Sequence, residues 1–173
     1  MSVTEEFIQR NAAFVAKGPE PLSVVPSLRA VVITCADHRV DPAHILGLGL
    51  GEAAVVRNAG GRITDTTLQT VAMMAMVVAE EGQSGGFELI ILHHTDCGVG
   101  RLAEHVDLLA SYFDIAPENL PSKHVSDPVA AVAADVEMLR SNPMFPKDLI
   151  VSGLVFDVDT GKVQTVVPAA PLG

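Results

Sequence analysis

Phe87-Glu88-Leu89-Ile90-Ile91-Leu92-His93-His94-Thr95-Asp96-Cys97-Gly98 carries the most apolar strand-like run in the middle of the chain into a histidine that stands three residues before a cysteine. His94-x-x-Cys97 is a metal-ligand spacing. The only other cysteine, Cys35, closes a second strand-like run, Arg29-Ala30-Val31-Val32-Ile33-Thr34, so both thiols fall where strands end. In an open parallel sheet the strand C-termini line up along one edge and ligands gather there, so Cys35 and His94 can meet despite their distance in sequence. Two thiolates and an imidazole favour zinc over hard, oxygen-loving cations. The competing reading makes both cysteines small buried hydrophobes and His94 a satisfied histidine. His93 is directed away from whatever His94 binds, because adjacent side chains on a strand point to opposite faces.

Upstream, residues 28–34 are nearly continuous in Val, Ile and Ala and read as a strand buried on both faces. In Cys35-Ala36-Asp37-His38-Arg39-Val40-Asp41-Pro42, Asp41 before Pro42 predicts a capped short helix running to about residue 48. Ala53-Ala54-Val55-Val56 starts another strand, which runs into Arg57-Asn58-Ala59-Gly60-Gly61-Arg62. The glycines there allow close backbone approach, and Thr64 or Asp65 caps a helix lasting to about residue 81.

Downstream, a helix is predicted from about residue 101 to 113, with Leu102, Val106, Leu109 and Phe113 as one apolar stripe. Residues 114–125 show little pattern, and Asp127-Pro128 starts another helix with Val132, Val136 and Leu139 on one face. Residues 149–158 and 163–167 flank a glycine turn and read as a hairpin. The fold class is α/β: a mostly parallel central sheet flanked by helices, with a C-terminal antiparallel edge hairpin. Residues 1–173 read as one domain, with 1–26 as an N-terminal helical arm and linker. Phe7, Ala12, Phe14 and Val15 give the arm an apolar side that packs on another surface, and Gly18, Pro19, Pro21 and Pro26 end it.

Eleven Lys and Arg against 21 Asp and Glu leave a formal charge of −10, with no basic block, which argues against nucleic acid and against an electrostatic membrane anchor. The longest apolar tract, residues 68–79, contains Gln69 and Thr70 and falls short of the roughly 20 residues a membrane span needs. The polar, acidic start Met1-Ser2-Val3-Thr4-Glu5-Glu6 has no signal-peptide core, so free thiols in a reducing, cytoplasmic setting are expected.

Cys35-x-Asp37-x-Arg39, then Arg57-Asn58-Ala59-Gly60, then His94-x-x-Cys97-Gly98 resemble the β-class carbonic anhydrases of short microbial type, in the same order and on similarly placed elements. The resemblance implies a zinc lyase in which Cys35, His94 and Cys97 bind Zn2+. It implies that Asp37 either takes the fourth metal position, closing the site, or pairs with Arg39 and leaves that position to water. Catalysis is then reversible hydration of carbon dioxide to bicarbonate and a proton by zinc hydroxide, which Asp37, held by Arg39, orients. Asn58, Ala59, Gly60 and Gly98 shape the anion end of the pocket, while Arg57 either touches substrate or forms a structural ion pair. His38, His44 and His105 are candidates for proton transfer, among which the sequence does not select. A homodimer or dimer of dimers is implied, with the arm lying on the neighbour.

Hydrolases of carbonyl sulfide or carbon disulfide share this fold and zinc set, so the pocket mouth decides the substrate. A zinc- or anion-binding protein without turnover is a second alternative. A thiol redox protein would want a resolving cysteine, and none stands near either cysteine in sequence.

Overall fold

The structure, a computed structural model, describes residues 1–173 except Pro19 and Ser84. Five strands, β1 (Ala30–Cys35), β2 (Ala53–Asn58), β3 (Glu88–His94), β4 (Ile150–Phe156) and β5 (Val163–Pro171), form one sheet in the order β2-β1-β3-β4-β5. The first four are mutually parallel and β5 is antiparallel to β4, as the mostly parallel reading with an antiparallel edge requires. Because β1 sends its chain to β2 on one side and has β3 on the other, the order of connection reverses at β1. In such sheets the crevice beyond the strand ends at that point is where ligands bind. The register places Cys35 beside Asn58, Thr34 beside Leu92, and His94 beside Phe156, so these side chains share the C-terminal edge.

Alternation along the strands separates two cores. Val31, Ile33, Leu89, Ile91, Val151 and Val155 face one layer, covered by α3 (Asp65–Glu80) and α5 (Pro128–Ser141). Val32, Leu92 and Phe156 face the other, with Val40 and the residues around α2 (Pro42–Ile45). The Val132, Val136 and Leu139 stripe of α5 is essentially fully buried. It comes close because β4 offers Gly153: a Cβ there would stand 3.1 Å from Val132 Cγ2 and 3.2 Å from Val136 Cγ2. Thr64 caps α3 and Asp127 caps α5, the latter accepting from the N–H groups of Val129 and Ala130 ahead of a first-turn proline.

Three expectations needed correction. The helix after Asp41 stops at Ile45 rather than near residue 48. The helix expected from residue 101 is split into a 3-10 turn, Gly100–Leu102, and α4, Val106–Phe113, because His105 leaves the helical region at φ −90, ψ 63. Its stripe is correspondingly shorter: Leu109 and Phe113 are buried, whereas Leu102 and Val106 are exposed. Residues 117–123, patternless in sequence, form a 3-10 helix that buries Leu120.

The arm folds as α1 (Val3–Val15), closed at its start by a reciprocal capping box between Ser2 and Glu5. None of its residues is buried, and Phe7 and Ile8 are 60% and 67% exposed. Of the residues expected to end it, Pro19 lies outside those described. No described helix is long and apolar enough to cross a membrane.

Candidate metal centre

Cys35 ends β1 and His94 ends β3, on adjacent strands, and a turn at residues 95–97 brings Cys97 back over both. Their ligand atoms lie within 4.8 Å of one another. The two sulfurs, 62 residues apart in sequence, are 3.8 Å apart and not bonded as a disulfide. Two thiolates at about 2.3 Å from one tetrahedral ion would stand ~3.8 Å apart, so the spacing suits zinc. His94 Nδ1 lies 2.8 Å from the Thr95 carbonyl, which can only accept, so the ring proton is on Nδ1. The lone pair is therefore on Nε2, which is buried and has no hydrogen-bond partner. A buried acceptor beside two sulfurs lacks one thing, a cation, and the residues present fit one.

The protons say the same. The contact between the two sulfurs, helped by His94 and the N–H groups of Asp37 and Gly60, draws Cys35 far below the ordinary thiol value against the effect of burial. The same contact and burial push Cys97 up. Burial opposes charge on His94, but Cys35 outweighs it and raises the imidazole. Thiols that ligate a metal must give up their protons, so a metal held at this cluster would bind more tightly as pH rises.

Local backbone makes this possible. Gly61, at φ +68, lies so close to the end of β1 that a Cβ would sit 2.7 Å from Cys35 N and Thr34 C. No other residue fits there. Asn58 closes the same loop by donating from Nδ2 to the Arg62 carbonyl and Thr67 Oγ1, at 2.7 and 2.8 Å, and accepting from the Arg62 N–H. Its side-chain amide is spent on the loop, while the Ala59 carbonyl accepts from Tyr112 Oη at 2.8 Å. Gly60 is buried, and Gly98 faces open space.

Asp37 stands outside the three-residue cluster, turned to Arg39, which donates from Nε, Nη2 and its backbone N–H. Those bonds hold the Asp37 carboxyl well below the usual carboxylate range. Arg57 resolves toward structure: Nε donates to the Cys35 carbonyl, Nη2 to the Asp37 carbonyl, and Nη1 to Asp41 Oδ2 at 2.7 Å. It clamps the segment that carries Cys35 and Asp37. His38 is 3.8 Å from Asp37 Oδ1 and open to solvent, and His44 pairs with Asp41.

Two groups escaped the sequence reading. Asp96, between the two downstream ligands, binds both Arg39 and Arg101. On the far face of β3, His93 Nε2 is 3.4 Å from Asp135 Oδ2, and Asp135 takes a two-pronged bond from Arg62 at 2.8 and 3.1 Å. His93 therefore lies away from the cluster, as strand alternation requires.

An α/β sheet with two cysteine sulfurs and an imidazole gathered at its switch point places the chain among α/β proteins whose sheet edge could hold a metal ion. The carbonic anhydrase family model matches residues 30–163. β-Carbonic anhydrase 1 of Mycobacterium tuberculosis is 33% identical over 97% of this chain and 100% of its own length. The crystal structure of carbonic anhydrase from Streptococcus mutans is 36% identical, with a TM-score of 0.74 over 96% of this chain and 98% of that one. A carbon disulfide hydrolase of Acidianus sp. is 29% identical over 81% of this chain and 78% of its own. The chain belongs to the β-carbonic anhydrase family.

Proposed function

We propose that this enzyme reversibly hydrates carbon dioxide to bicarbonate and a proton, using zinc held by Cys35, His94 and Cys97. The observation that carries the reading is the convergence of the unpartnered, buried Nε2 of His94 with two sulfurs 3.8 Å apart. Zinc at this position supplies an ionisable water whose pKa falls toward ~7. Two thiolates already neutralise the dication, so a third anionic ligand would oppose that ionisation. Arg39 prevents this by keeping the Asp37 carboxylate turned from the cluster, where it would accept a hydrogen bond from the attacking water and aim the lone pair of that water at carbon dioxide. Gly60, Asn58 and Ala59 form the rigid loop at the anion end, and the open side of Gly98 admits the substrate.

Stopped-flow hydration by the zinc-loaded protein at pH 7 and 8.5 tests this, and rapid turnover is expected. Asp37→Asn should lose about 100-fold in rate, the size of a positioned proton acceptor, while one zinc per chain is retained. Full activity in that variant would sink the role of Asp37. The carbon disulfide hydrolase relative supports a second reading, hydrolysis of carbon disulfide or carbonyl sulfide at the same centre. Consumption of either with background hydration would select it, and zinc binding without any turnover would select a binding protein.

We also infer a cytoplasmic homodimer, or a dimer of dimers, in which α1 lies on the neighbour. Support comes from the uncovered Phe7 and Ile8 of α1, the exposed Met73, Met76 and Val77 of α3, and an apolar cavity of about 510 Å³ between α3 and the strand N-termini. A monomer by light scattering would overturn it.

A further inference from the structure

We propose that Asp96 is a positioning residue, which fixes the Arg39 guanidinium where it can hold Asp37 away from the metal position. The proposal rests on the reading of Asp37 given above. Asp96 lies between His94 and Cys97 in the left-handed region, at φ +51, which Asp and Asn tolerate better than other side-chain-bearing residues. Its turn is tied to the end of β4: the Thr95 N–H donates to the Phe156 carbonyl at 2.9 Å, and Thr95 Oγ1 accepts from the Val158 N–H at 3.0 Å. Asp96 is thus presented from the same rigid turn as two metal ligands.

Arg39 comes from elsewhere, a 3-10 turn at His38–Val40 that buries Val40 and leaves Arg39 at the surface. A long side chain leaving such a turn has many rotamers to lose. Asp96 removes that freedom at two points, accepting from Arg39 Nη1 through Oδ2 at 2.8 Å and from Nη2 through its carbonyl at 3.0 Å. Asp37 is served mainly by other hydrogens, from Nε at 3.1 Å and Nη2 at 2.7 Å. The two carboxylates occupy different edges of one planar fork, so Asp96 anchors the guanidinium without competing for the Asp37 bonds. Arg101 Nη2 steadies the other Asp96 oxygen at 2.7 Å. Without Asp96, the Arg39–Asp37 pair is held to the ligand turn only by a carbonyl, and Asp37 is free to turn to the cluster and close it.

Cobalt(II)-substituted full-length protein reports this directly, because thiocyanate entering an open metal position changes the visible spectrum. Wild type, Asp96→Asn, Asp37→Asn and the double variant are titrated with thiocyanate at one pH, after metal content is checked. Asn suits the left-handed turn, so Asp96→Asn changes charge and bonding with the backbone kept. Asp96→Asn should bind thiocyanate about fivefold more weakly than wild type, the scale of one partly exposed ion pair. In the Asp37→Asn background, where no carboxylate can close the site, the same change should have no effect within about twofold. Arg101→Gln, which leaves the turn untouched, should weaken binding about twofold.

Wild-type affinity in both Asp96→Asn and Arg101→Gln would overturn the proposal. So would equal weakening with and without Asp37, since Asp96 would then act on the ligand turn itself. If none of the proteins binds thiocyanate, the open-site reading falls and the proposal with it.

Discussion

His93 and His94 are neighbours on one strand, both nearly inaccessible at 3% and 1%, and they meet opposite demands. His93 faces Asp135, whose charge is answered by Arg62, and Arg62 in turn lies over the Phe113 ring. Every charge in that group has its counter-charge inside the protein. His94 faces two sulfurs 3.8 Å apart, and its ring nitrogen joins them in a set of three donors within 4.8 Å of one another. One face of β3 is closed by an ion pair of the chain itself, and the other gathers donor atoms that could hold a metal ion. The lesson is that burial of ionisable groups does not itself mark a functional site; the convergence of metal-donor atoms does. The loop at residues 58–62 joins the two, since Gly60 and Gly61 lie against Cys35 while Arg62 crosses to Asp135.

The comparison is broken most severely on the metal side. Cys35→Ala should bring bound zinc below about a tenth per chain and hydration to background, as loss of one of three protein ligands does. Metal analysis with stopped-flow measures both, and retained stoichiometric zinc would contradict the ligand assignment.

On the other face, Asp135→Asn leaves Arg62 buried without a counter-charge, and about 3–5 kcal/mol of stability should go, roughly 10 °C in Tm. pH gives a signature of this loss. Burial alone would raise Asp135, but the bonds from His93 and Arg62 outweigh it and hold the carboxyl below its ordinary value. A depressed carboxyl stabilises the fold above its unfolded pKa of ~3.9 and loses that contribution as pH falls through the folded value. Urea unfolding curves of wild type and Asp135→Asn should therefore differ by a constant amount above about pH 5 and converge below about pH 4. A gap that widens in acid would show the network is not ionic.

The smallest effect is expected from His93→Leu, about 1–2 kcal/mol from one 3.4 Å contact with a charged partner. Zinc content and turnover should stay within about twofold of wild type, as two independent faces require. Loss of zinc in this variant would erase the distinction between the histidines.

Much of the metal side is legible in the sequence because its signals are local. The spacing of His94 and Cys97 and the strand-like runs ahead of Cys35 and His94 mark three donors at strand ends, and alternation alone sends His93 elsewhere. The buried network is invisible there. Arg62 and Asp135 are 73 residues apart, each sits in an ordinary helical or loop context, and only the packing of α5 across the sheet joins them. The proximity of the two cysteines has the same origin, so a sequence that shows no nearby resolving thiol folds into one with sulfurs 3.8 Å apart. Asp96 stood in plain view within the motif, but its partner Arg39 is 57 residues away, and an Asp alone does not announce a left-handed backbone. The split before α4 likewise depends on one dihedral at His105, which apolar spacing does not encode.

The uncovered helix at the N-terminus has a consequence in time rather than space. Thirteen residues held by a capping box and no tertiary burial are near the limit for a helix in water. Its amides should exchange with deuterium at rates set by fraying, far faster than those of β1 and β3, whose exchange awaits opening of the core. If a neighbour covers Phe7 and Ile8, that clock slows as protein concentration rises. The arm would then record, in its exchange lifetimes, how much of the population is assembled.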